Sequence, residues 1–289
     1  MHTSLECLPC FIRQAIDASQ AFAADPELRE RIVREVLSWA AEMDFTLPPA
    51  IIGGRIHRRL REITGVADPY QEAKVLQNQM ALRLLPQLKQ EVAEADDPLW
   101  MATRLAIAGN VIDLGVYSEF AEEDLLREIH SALSGPFAGP REAFRQEIER
   151  AEKILYLADN AGEIVFDGLL LEQLPRDRVT LGVRGFPVLN DVTLADVKAV
   201  GLADRFEIIE NGSDIPGTLL EECSDDFRKR FAEADLILAK GQGNFETLSG
   251  REENIIFLFK AKCSVIADHA GVPIGTSVVF GNRLSPDRG

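Results

Sequence analysis

The sequence has few cysteines, few histidines and no long apolar run, and each shortage argues against a class of protein. Four cysteines in 289 residues do not make the disulfide framework of a small secreted domain. No apolar run approaches the roughly 20 residues that a membrane-spanning helix needs. The four histidines form no HxH, HExxH or His-Asp-Ser pattern. A hydrolase built on a histidine-based triad is therefore not expected.

Basic residues are scarce relative to acidic ones. The 31 Lys and Arg residues stand against 47 Asp and Glu residues, and the formal net charge is −16. Binding to nucleic acid or to an anionic membrane needs concentrated positive charge, so we expect neither as a partner. A small phosphorylated metabolite is still compatible with this net charge, because a metal ion and a few cationic side chains suffice to bind it. The first residues lack the basic and apolar regions of a secretory signal, so we expect a cytoplasmic location.

The hydrophobic pattern divides the chain into two regions. Residues 1–150 have apolar residues at helical spacing almost throughout, and Asp25 before Pro26 is a typical helix start. From residue 151 onward, short apolar runs alternate with helical segments, which predicts a mainly parallel sheet covered by helices. We therefore expect a multidomain protein, with an all-helical region at 1–150 and a three-layer α/β domain at 151–289. The predicted strands are residues 154–158, 179–183, 206–209, 236–239, 255–259 and 277–280, and the predicted helices among them are residues 163–174, 191–200, 216–222 and 225–233.

The functional argument starts at the first predicted strand. Asp159 and Asn160 follow it directly and precede a helix, at a position where ligands bind in open α/β sheets. Two adjacent oxygen-bearing side chains there suit a hard divalent cation such as Mg²⁺ or Mn²⁺. The alternative is an ordinary turn with a helix N-cap, in which Asp and Asn are also favoured. Glu163 either supports such a site or is an ordinary acidic residue in the first turn of the helix, and the sequence leaves both alternatives open.

The second predicted strand is followed by another Asn–Asp pair, Asn190 and Asp191. Parallel strands place their carboxyl ends at one edge of a sheet, so Asp159, Asn160 and Asp191 are candidates to converge. Two carboxylates and one amide, completed by water and substrate oxygens, make a reasonable Mg²⁺ or Mn²⁺ site. The alternative for Asp191 is a helix N-cap.

Further polar groups at strand ends suit a phosphorylated ligand. Arg184 would face a phosphoryl oxygen, Lys240 would supply positive charge, and Gly241 would let backbone N–H groups approach phosphate. Asn244 and Glu246 are candidates to bind sugar hydroxyls, or they cap the turn. The GxxxxGK[ST] pattern of a Walker A loop is absent.

Six segments in order along the chain together carry a resemblance to a known family. Three follow predicted strands: residues 159–163 (Asp-Asn-Ala-Gly-Glu), 184–191 (Arg-Gly-Phe-Pro-Val-Leu-Asn-Asp) and 240–246 (Lys-Gly-Gln-Gly-Asn-Phe-Glu). Three lie in the helical region: residues 7–11 (Cys-Leu-Pro-Cys-Phe), 68–70 (Asp-Pro-Tyr) and 109–113 (Gly-Asn-Val-Ile-Asp). They resemble the DUF89 family of metal-dependent damage-control phosphatases, also called ARMT1-like, and in particular its prokaryotic, CxxC-containing branch.

The resemblance implies a helical N-terminal region joined to a Rossmann-like α/β domain. It also implies Mg²⁺, Mn²⁺, Co²⁺ or Ni²⁺ held by Asp159, Asn160 and Asp191. The implied reaction is hydrolysis of phosphate monoesters of small metabolites, such as sugar phosphates or related damaged metabolites. Asn110 and Asp113 would reach the cleft from the helical side; without the resemblance they are helix caps.

The primary hypothesis is therefore a metal-dependent phosphatase. The metal would polarise the phosphoryl group and lower the pKa of a bound water, while Lys240 and Arg184 would offset negative charge. The nucleophile stays open between water and a carboxylate of Asp159 or Asp191. Two alternatives are a carboxyl methyltransferase that uses S-adenosylmethionine and a non-catalytic sensor of a metal and a phosphometabolite. The oligomeric state is open, with a homo-oligomer as one alternative.

Cys7 and Cys10 form a CxxC pair for which packing, metal binding and redox chemistry are all open. A zinc site would need two more ligands, and Cys223 and Cys263 are the candidates. No βαβ unit follows the pair, which argues against a redox motif of the thioredoxin type.

Overall fold

Twelve helices and one seven-stranded sheet make up the parts of the chain that the computed structural model describes, which are residues 1–22, 25–110, 122–281 and 283–284. The helices are α1 (Leu8–Phe22), α2 (Pro26–Ala41), α3 (Pro49–Thr64), α4 (Gln71–Glu94), α5 (Pro98–Ala108), α6 (Glu122–Ser134), α7 (Arg141–Arg150), α8 (Glu163–Leu171), α9 (Leu194–Ala199), α10 (Asp225–Glu233), α11 (Gly241–Leu248) and α12 (Ser264–Ala270). The strands are β1 (Phe137–Ala138), β2 (Ile154–Leu157), β3 (Val179–Val183), β4 (Glu207–Glu210), β5 (Leu236–Lys240), β6 (Ile255–Lys260) and β7 (Ser277–Gly281).

The strand order places β2 in the middle of the candidate site. The order is β1-β7-β6-β5-β2-β3-β4, and every neighbouring pair is parallel except β6 with β7. The chain runs outward from β2 through β3 to β4, and then returns to the other side of β2 to form β5 and β6. The order therefore reverses between β2 and β5, and such a reversal opens a crevice at the carboxyl ends of the strands.

Buried apolar side chains cover both faces of the sheet. One face carries the larger core, in which Tyr156 of β2 and Phe166 of α8 pack with side chains from α4 to α7. On the other face, Phe227 of α10 and Phe245 of α11 pack against the strands. A fully buried Phe contributes about 1.5–3 kcal/mol of stabilisation. Helices α1, α2 and α3 share a separate small core that includes Phe11. No helix in the described ranges combines the length and apolar character that crossing a bilayer requires.

The predicted fold class is confirmed, and the six predicted strands are present with bounds that differ by at most one residue. The predicted cap at Asp25 is also confirmed, since its Oδ1 accepts a hydrogen bond from the Glu27 N–H at 3.0 Å. Strand β1, with only two residues, was not predicted. The boundary between the regions at residue 150 stays a prediction.

The predicted helix at 216–222 is wrong. Only a single 3₁₀ turn, Leu220–Glu222, forms there. Gly217 has a φ of +84°, and a Cβ built on it would lie 2.2 Å from the carbonyl oxygen of Gly243 in α11. Close packing against α11 in this left-handed conformation holds the segment as a loop. Helices α11 and α12 were not predicted.

Candidate active site

Three oxygen-bearing side chains come together at the carboxyl ends of β2 and β3. Asp159 and Asn160 follow β2, and an isolated antiparallel β-bridge pairs Asn160 with Asp191. The Val192 N–H also donates to the carbonyl oxygen of Asp159 at 2.8 Å. All three side chains are buried and line one cleft. The structure thus brings the three candidate metal ligands together.

None of these three residues is the N-cap of a helix. Helix α8 begins after Gly162, which makes no side-chain cap. Helix α9 begins after Thr193, whose side chain forms a capping box with Asp196. Neither helix end is therefore capped by Asp159 or Asp191. The N-cap alternative is excluded for both.

Oxygen donors and crowded negative charge make this edge of the sheet favourable for a cation. Burial raises the pKa of Asp159 well above its ordinary value, and the carboxylates of Glu163 and Asp191 raise it further. Across the described part of the chain, no three His, Cys, Asp or Glu side chains are placed to hold a metal ion. A metal at this edge would therefore depend on the amide of Asn160 as well as on the two carboxylates.

Gly241, at the start of α11, contacts the candidate site through its backbone. Its φ is +79°, and a Cβ built on it would lie only 1.9 Å from Oδ2 of Asp159. Any other residue would displace the carboxylate or the helix. The glycine therefore allows α11 to begin directly against Asp159.

A cleft of about 420 Å³ opens over the three candidate ligands. Its far wall comes from the helical region, with Phe11 and Gln14 of α1 and Gly53 of α3 among the lining residues. Asn190 lines the cleft, as does Asn110, whose Nδ2 donates to Glu163 Oε2 at 3.1 Å. The other candidate from the helical side, Asp113, lies outside the described residues.

Lys240, which was predicted to contact phosphate, is not among the described residues that line this cleft. Its side chain is completely buried, and Nζ donates to Glu163 Oε1 at 2.6 Å, Asp167 Oδ1 at 2.5 Å and the Ala106 carbonyl at 2.8 Å. Burial alone would lower the pKa of Lys240, but the carboxylates of Asp167 and Glu163 outweigh burial and raise it. Lys240 is thus a permanent buried cation beneath the site.

Arg184 and Asn244 likewise hold the site together and do not line the cleft. Arg184 is 2% exposed, and its Nε donates to Asp191 Oδ2 at 2.6 Å. Asn244 is completely buried, and its Nδ2 donates to the carbonyl oxygens of Lys240 at 2.8 Å and Ala158 at 3.4 Å. The predicted direct contacts of these two side chains with substrate stay predictions.

Two further ionisable side chains line the cleft. Glu246 lines it, where burial raises the pKa of its carboxyl group. Lys262 follows β6 and is the only Lys or Arg among the cleft-lining residues that the structure describes. Sequence reasoning missed Lys262, although the strand predicted at 255–259 ends just before it. Ligands bind at the carboxyl ends of the strands in open α/β sheets, and applying this rule to the end of the strand at 255–259 would have identified Lys262.

The CxxC pair forms part of the cleft wall. Cys7, Cys10 and Cys263 all line the cleft, and all four cysteines are free thiols. Burial raises the pKa of the Cys10 thiol, and nearby Cys263 adds to this shift. Cys223 is buried elsewhere, where its thiol donates to the carbonyl oxygen of Leu219. Packing, metal-binding and redox roles of the pair stay predictions.

Known proteins match nearly the whole chain. Residues 3–278 match the family described as Damage-control phosphatase ARMT1-like domain. The chain is 36% identical to a damage-control phosphatase of Archaeoglobus fulgidus, over 96% of this chain and 98% of that protein. It is 35% identical to a damage-control phosphatase of Pyrococcus horikoshii, over 98% of this chain and 99% of that protein. It is also 37% identical to an uncharacterized protein of Methanocaldococcus jannaschii, over 95% of this chain and 94% of that protein.

The fold agrees with these sequence matches. A crystal structure of a DUF89 family protein from Pyrococcus horikoshii superposes with a TM-score of 0.88 at 35% identity, and the match covers 98% of this chain and all of that one. The names of the relatives support a phosphatase function for the family. The chain belongs to the damage-control phosphatase ARMT1-like family, also called DUF89.

Proposed function

We propose that this protein is a metal-dependent phosphatase that hydrolyses phosphate monoesters of small metabolites. The proposal rests on the convergence of Asp159, Asn160 and Asp191 beneath one cleft. The cleft volume of about 420 Å³ lies in the range of small-molecule sites, roughly 300–1,000 Å³. The names of the relatives support the reaction class.

The formal charge of the buried groups around this site supports a divalent cation. Four buried carboxylates stand against two buried cations, which leaves a formal charge of −2. The carboxylates are those of Asp159, Glu163, Asp167 and Asp191, and the cations are Arg184 and Lys240. Buried charge without a partner is costly, and a divalent cation would neutralise this excess.

Asp159, Asn160 and Asp191 would hold the metal, which we expect to be Mg²⁺, Mn²⁺, Co²⁺ or Ni²⁺. When bound, such an ion polarises a phosphoryl group and makes a water molecule more acidic. Arg184 keeps one oxygen of Asp191 in a charged hydrogen bond and so fixes how that carboxylate faces the cleft.

The remaining cleft residues suit a phosphorylated polyol. Lys262 supplies the positive charge for the phosphoryl group, in place of the buried Lys240. Asn190, Gln242 and Glu246 offer amide and carboxylate groups that can hydrogen-bond hydroxyl groups. A sugar phosphate presents both features, and we propose this substrate class.

The experiment is release of inorganic phosphate from a panel of sugar phosphates with Mg²⁺, Mn²⁺, Co²⁺ or Ni²⁺, and with a chelator. We expect activity only with a divalent metal. Loss of a residue that only supports a metal ligand costs up to about 100-fold in activity. Asp159→Ala removes a proposed direct ligand, so we expect it to lower the rate of phosphate release at least about 100-fold. The matched control is Asp204→Ala, because Asp204 is an exposed carboxylate outside the cleft.

The outcomes separate the alternatives. Equal rates for Asp159→Ala and wild type would show that the site is assigned wrongly. Tight metal binding without turnover on the whole panel would favour the sensor. Saturable binding of S-adenosylmethionine without metal would favour the methyltransferase.

A further inference from the structure

A buried ionic cluster lies directly beneath the three candidate metal ligands. It consists of Lys240, Glu163 and Asp167, and we call it the Lys240 cluster. All three side chains are buried, with exposed fractions of 0%, 2% and 0%. Lys240 donates to one oxygen of each carboxylate, at 2.6 Å and 2.5 Å. The assigned metal ligands do not include any of these groups, so the cluster needs its own explanation.

Glu163 connects this cluster to the cleft. Its Oε1 accepts from Lys240, while its Oε2 accepts from Nδ2 of Asn160 at 3.3 Å and from Nδ2 of Asn110 at 3.1 Å. An ionised carboxylate only accepts hydrogen bonds, so both amides must turn their nitrogen toward it. Each amide oxygen is then directed away from Glu163.

The nitrogen of Asn160 is fully used in this arrangement. One N–H donates to Glu163 Oε2, and the other donates to Asp159 Oδ2 at 2.9 Å. An amide has two N–H donors, so both are satisfied. A turn of the amide through 180° would place its oxygen against two carboxylates, which is repulsive. The orientation of Asn160 is therefore set by negative charge on its nitrogen side.

We propose that Glu163 is a positioning residue, which holds the oxygen of Asn160 toward the cleft so that it can ligate the metal. Lys240 keeps Glu163 in place by donating to its Oε1 at 2.6 Å. The inference deepens the proposed function, because it rests on the metal site described there. For Glu163, it favours support of the site over the alternative of an ordinary acid in the first helical turn.

Glu163→Gln is the discriminating change, because it conserves shape but not hydrogen-bond character. Three donors face Glu163, from Lys240, Asn110 and Asn160. Glutamine offers one acceptor oxygen and one NH₂ group, and the charged Lys240 is the strongest donor for that oxygen, so the NH₂ group would face Asn110 and Asn160. We expect the amide of Asn160 to lose its fixed orientation.

The first measurement is calorimetric titration of the whole protein with Mn²⁺. Loss of an outer-shell partner typically weakens metal binding 10- to 100-fold, and we expect the Kd of Glu163→Gln to rise by about that factor. Asp167→Asn is the matched control. It removes the same charge from the same cluster, but Asp167 contacts neither amide. Its Kd should rise clearly less than that of Glu163→Gln, because only the loss of one negative charge is common to the two variants.

A double-mutant cycle separates orientation from general damage. In an Asn160→Asp background there is no amide to orient, and the new carboxylate lies against that of Glu163. Adding Glu163→Gln should then strengthen Mn²⁺ binding, whereas it weakens binding in the wild-type background. A merely structural role of Glu163 would not reverse sign.

A second variant guards against poor folding of Glu163→Gln. Glu163→Asp keeps the charge but withdraws the acceptor from Asn160, so a comparable rise in Kd is expected. Unchanged Mn²⁺ affinity in both Glu163 variants would overturn the positioning role. An equal loss in Asp167→Asn would also overturn it, because charge alone would then be the cause.

The outcomes also distinguish this inference from the proposed function. If wild type binds Mn²⁺ with the expected sign reversal but hydrolyses no phosphate monoester, the positioning role stands and the proposed function is wrong. If wild type hydrolyses these esters and Glu163→Gln acts alike in both backgrounds, the positioning role is wrong. A wild type that binds no divalent metal overturns both.

Discussion

Replacing Gly241 by alanine tests how closely α11 approaches the candidate metal ligands. A Cβ at this position would lie 1.9 Å from Oδ2 and 2.1 Å from Cγ of Asp159. No carbon fits at these distances, so the carboxylate or the start of α11 must move. We therefore expect Gly241→Ala to weaken divalent-metal binding and phosphate-ester hydrolysis together.

Gly241→Ala should have two effects, a loss of stability and a larger loss of activity. The φ of +79° costs an alanine about 1–2 kcal/mol of stability, because its Cβ crowds the backbone in the left-handed conformation. At about 2–4 °C per kcal/mol, this lowers the melting temperature by about 2–8 °C. Displacement of Asp159 adds the loss of a proposed metal ligand. We expect activity to fall at least about 100-fold, which corresponds to about 2.7 kcal/mol in the activation free energy.

Gly201→Ala provides a matched control for the backbone cost alone. Its φ is +75°, and a Cβ there would have nothing within 4 Å. Without metal, Gly241→Ala should lose at least as much stability as Gly201→Ala, because only its Cβ meets other atoms. Only Gly241→Ala should lose activity and the rise in melting temperature that we expect Mn²⁺ to produce in wild type. Equal activity and equal Mn²⁺ response in the two variants would refute the argument that the carboxylate must occupy this position.

Two further changes test the cleft and the helical region. Lys262→Ala should raise the KM for a sugar phosphate at least about tenfold, because a hydrogen bond to a charged group contributes about 1.5 kcal/mol or more. Lys260→Ala, outside the cleft, is the control, and equal KM values in the two variants would contradict the role of Lys262. Burial lowers the pKa of His57 to about 3, so below pH 6.5 the unfolded chain alone takes up this proton. From pH 6.5 to 5 the free energy of unfolding should therefore fall by about 2 kcal/mol more in wild type than in His57→Phe, as measured by urea unfolding. The same pH dependence in both proteins would show that His57 does not contribute.

The fold was predictable from the sequence where burial dictates residue type. Strands β2, β3 and β5 are buried along their whole length, so they stand out as short apolar runs. Helix α11 was missed because Gly241 and Gly243 are typical of a loop. Its Phe245 is completely buried and stacks on Phe259, so tertiary packing outweighs the local preference.

The candidate site was only partly predictable, because a sequence does not give the direction of a side chain. Lys240 and Lys262 both come at the ends of parallel strands. Lys240 is directed beneath the sheet edge toward α8, whereas Lys262 lines the cleft. A signal for the difference exists in the sequence. Glu163 and Asp167 are four residues apart on the apolar helix α8, so they share a buried face that needs a cation.

The N-terminal helices do more than cover the sheet, because they hold the two loops that carry the candidate ligands. Asn78 of α4 accepts a hydrogen bond from the Gly162 N–H at 2.7 Å, in the loop after β2. Lys74, one turn earlier on α4, donates to Asp196 at 2.7 Å, next to the loop after β3. The carbonyl of Ala106 in α5 completes the partners of Lys240. Since α4 and α5 fix both loops and the cluster below them, the candidate metal site is a joint product of the helical region and the α/β region.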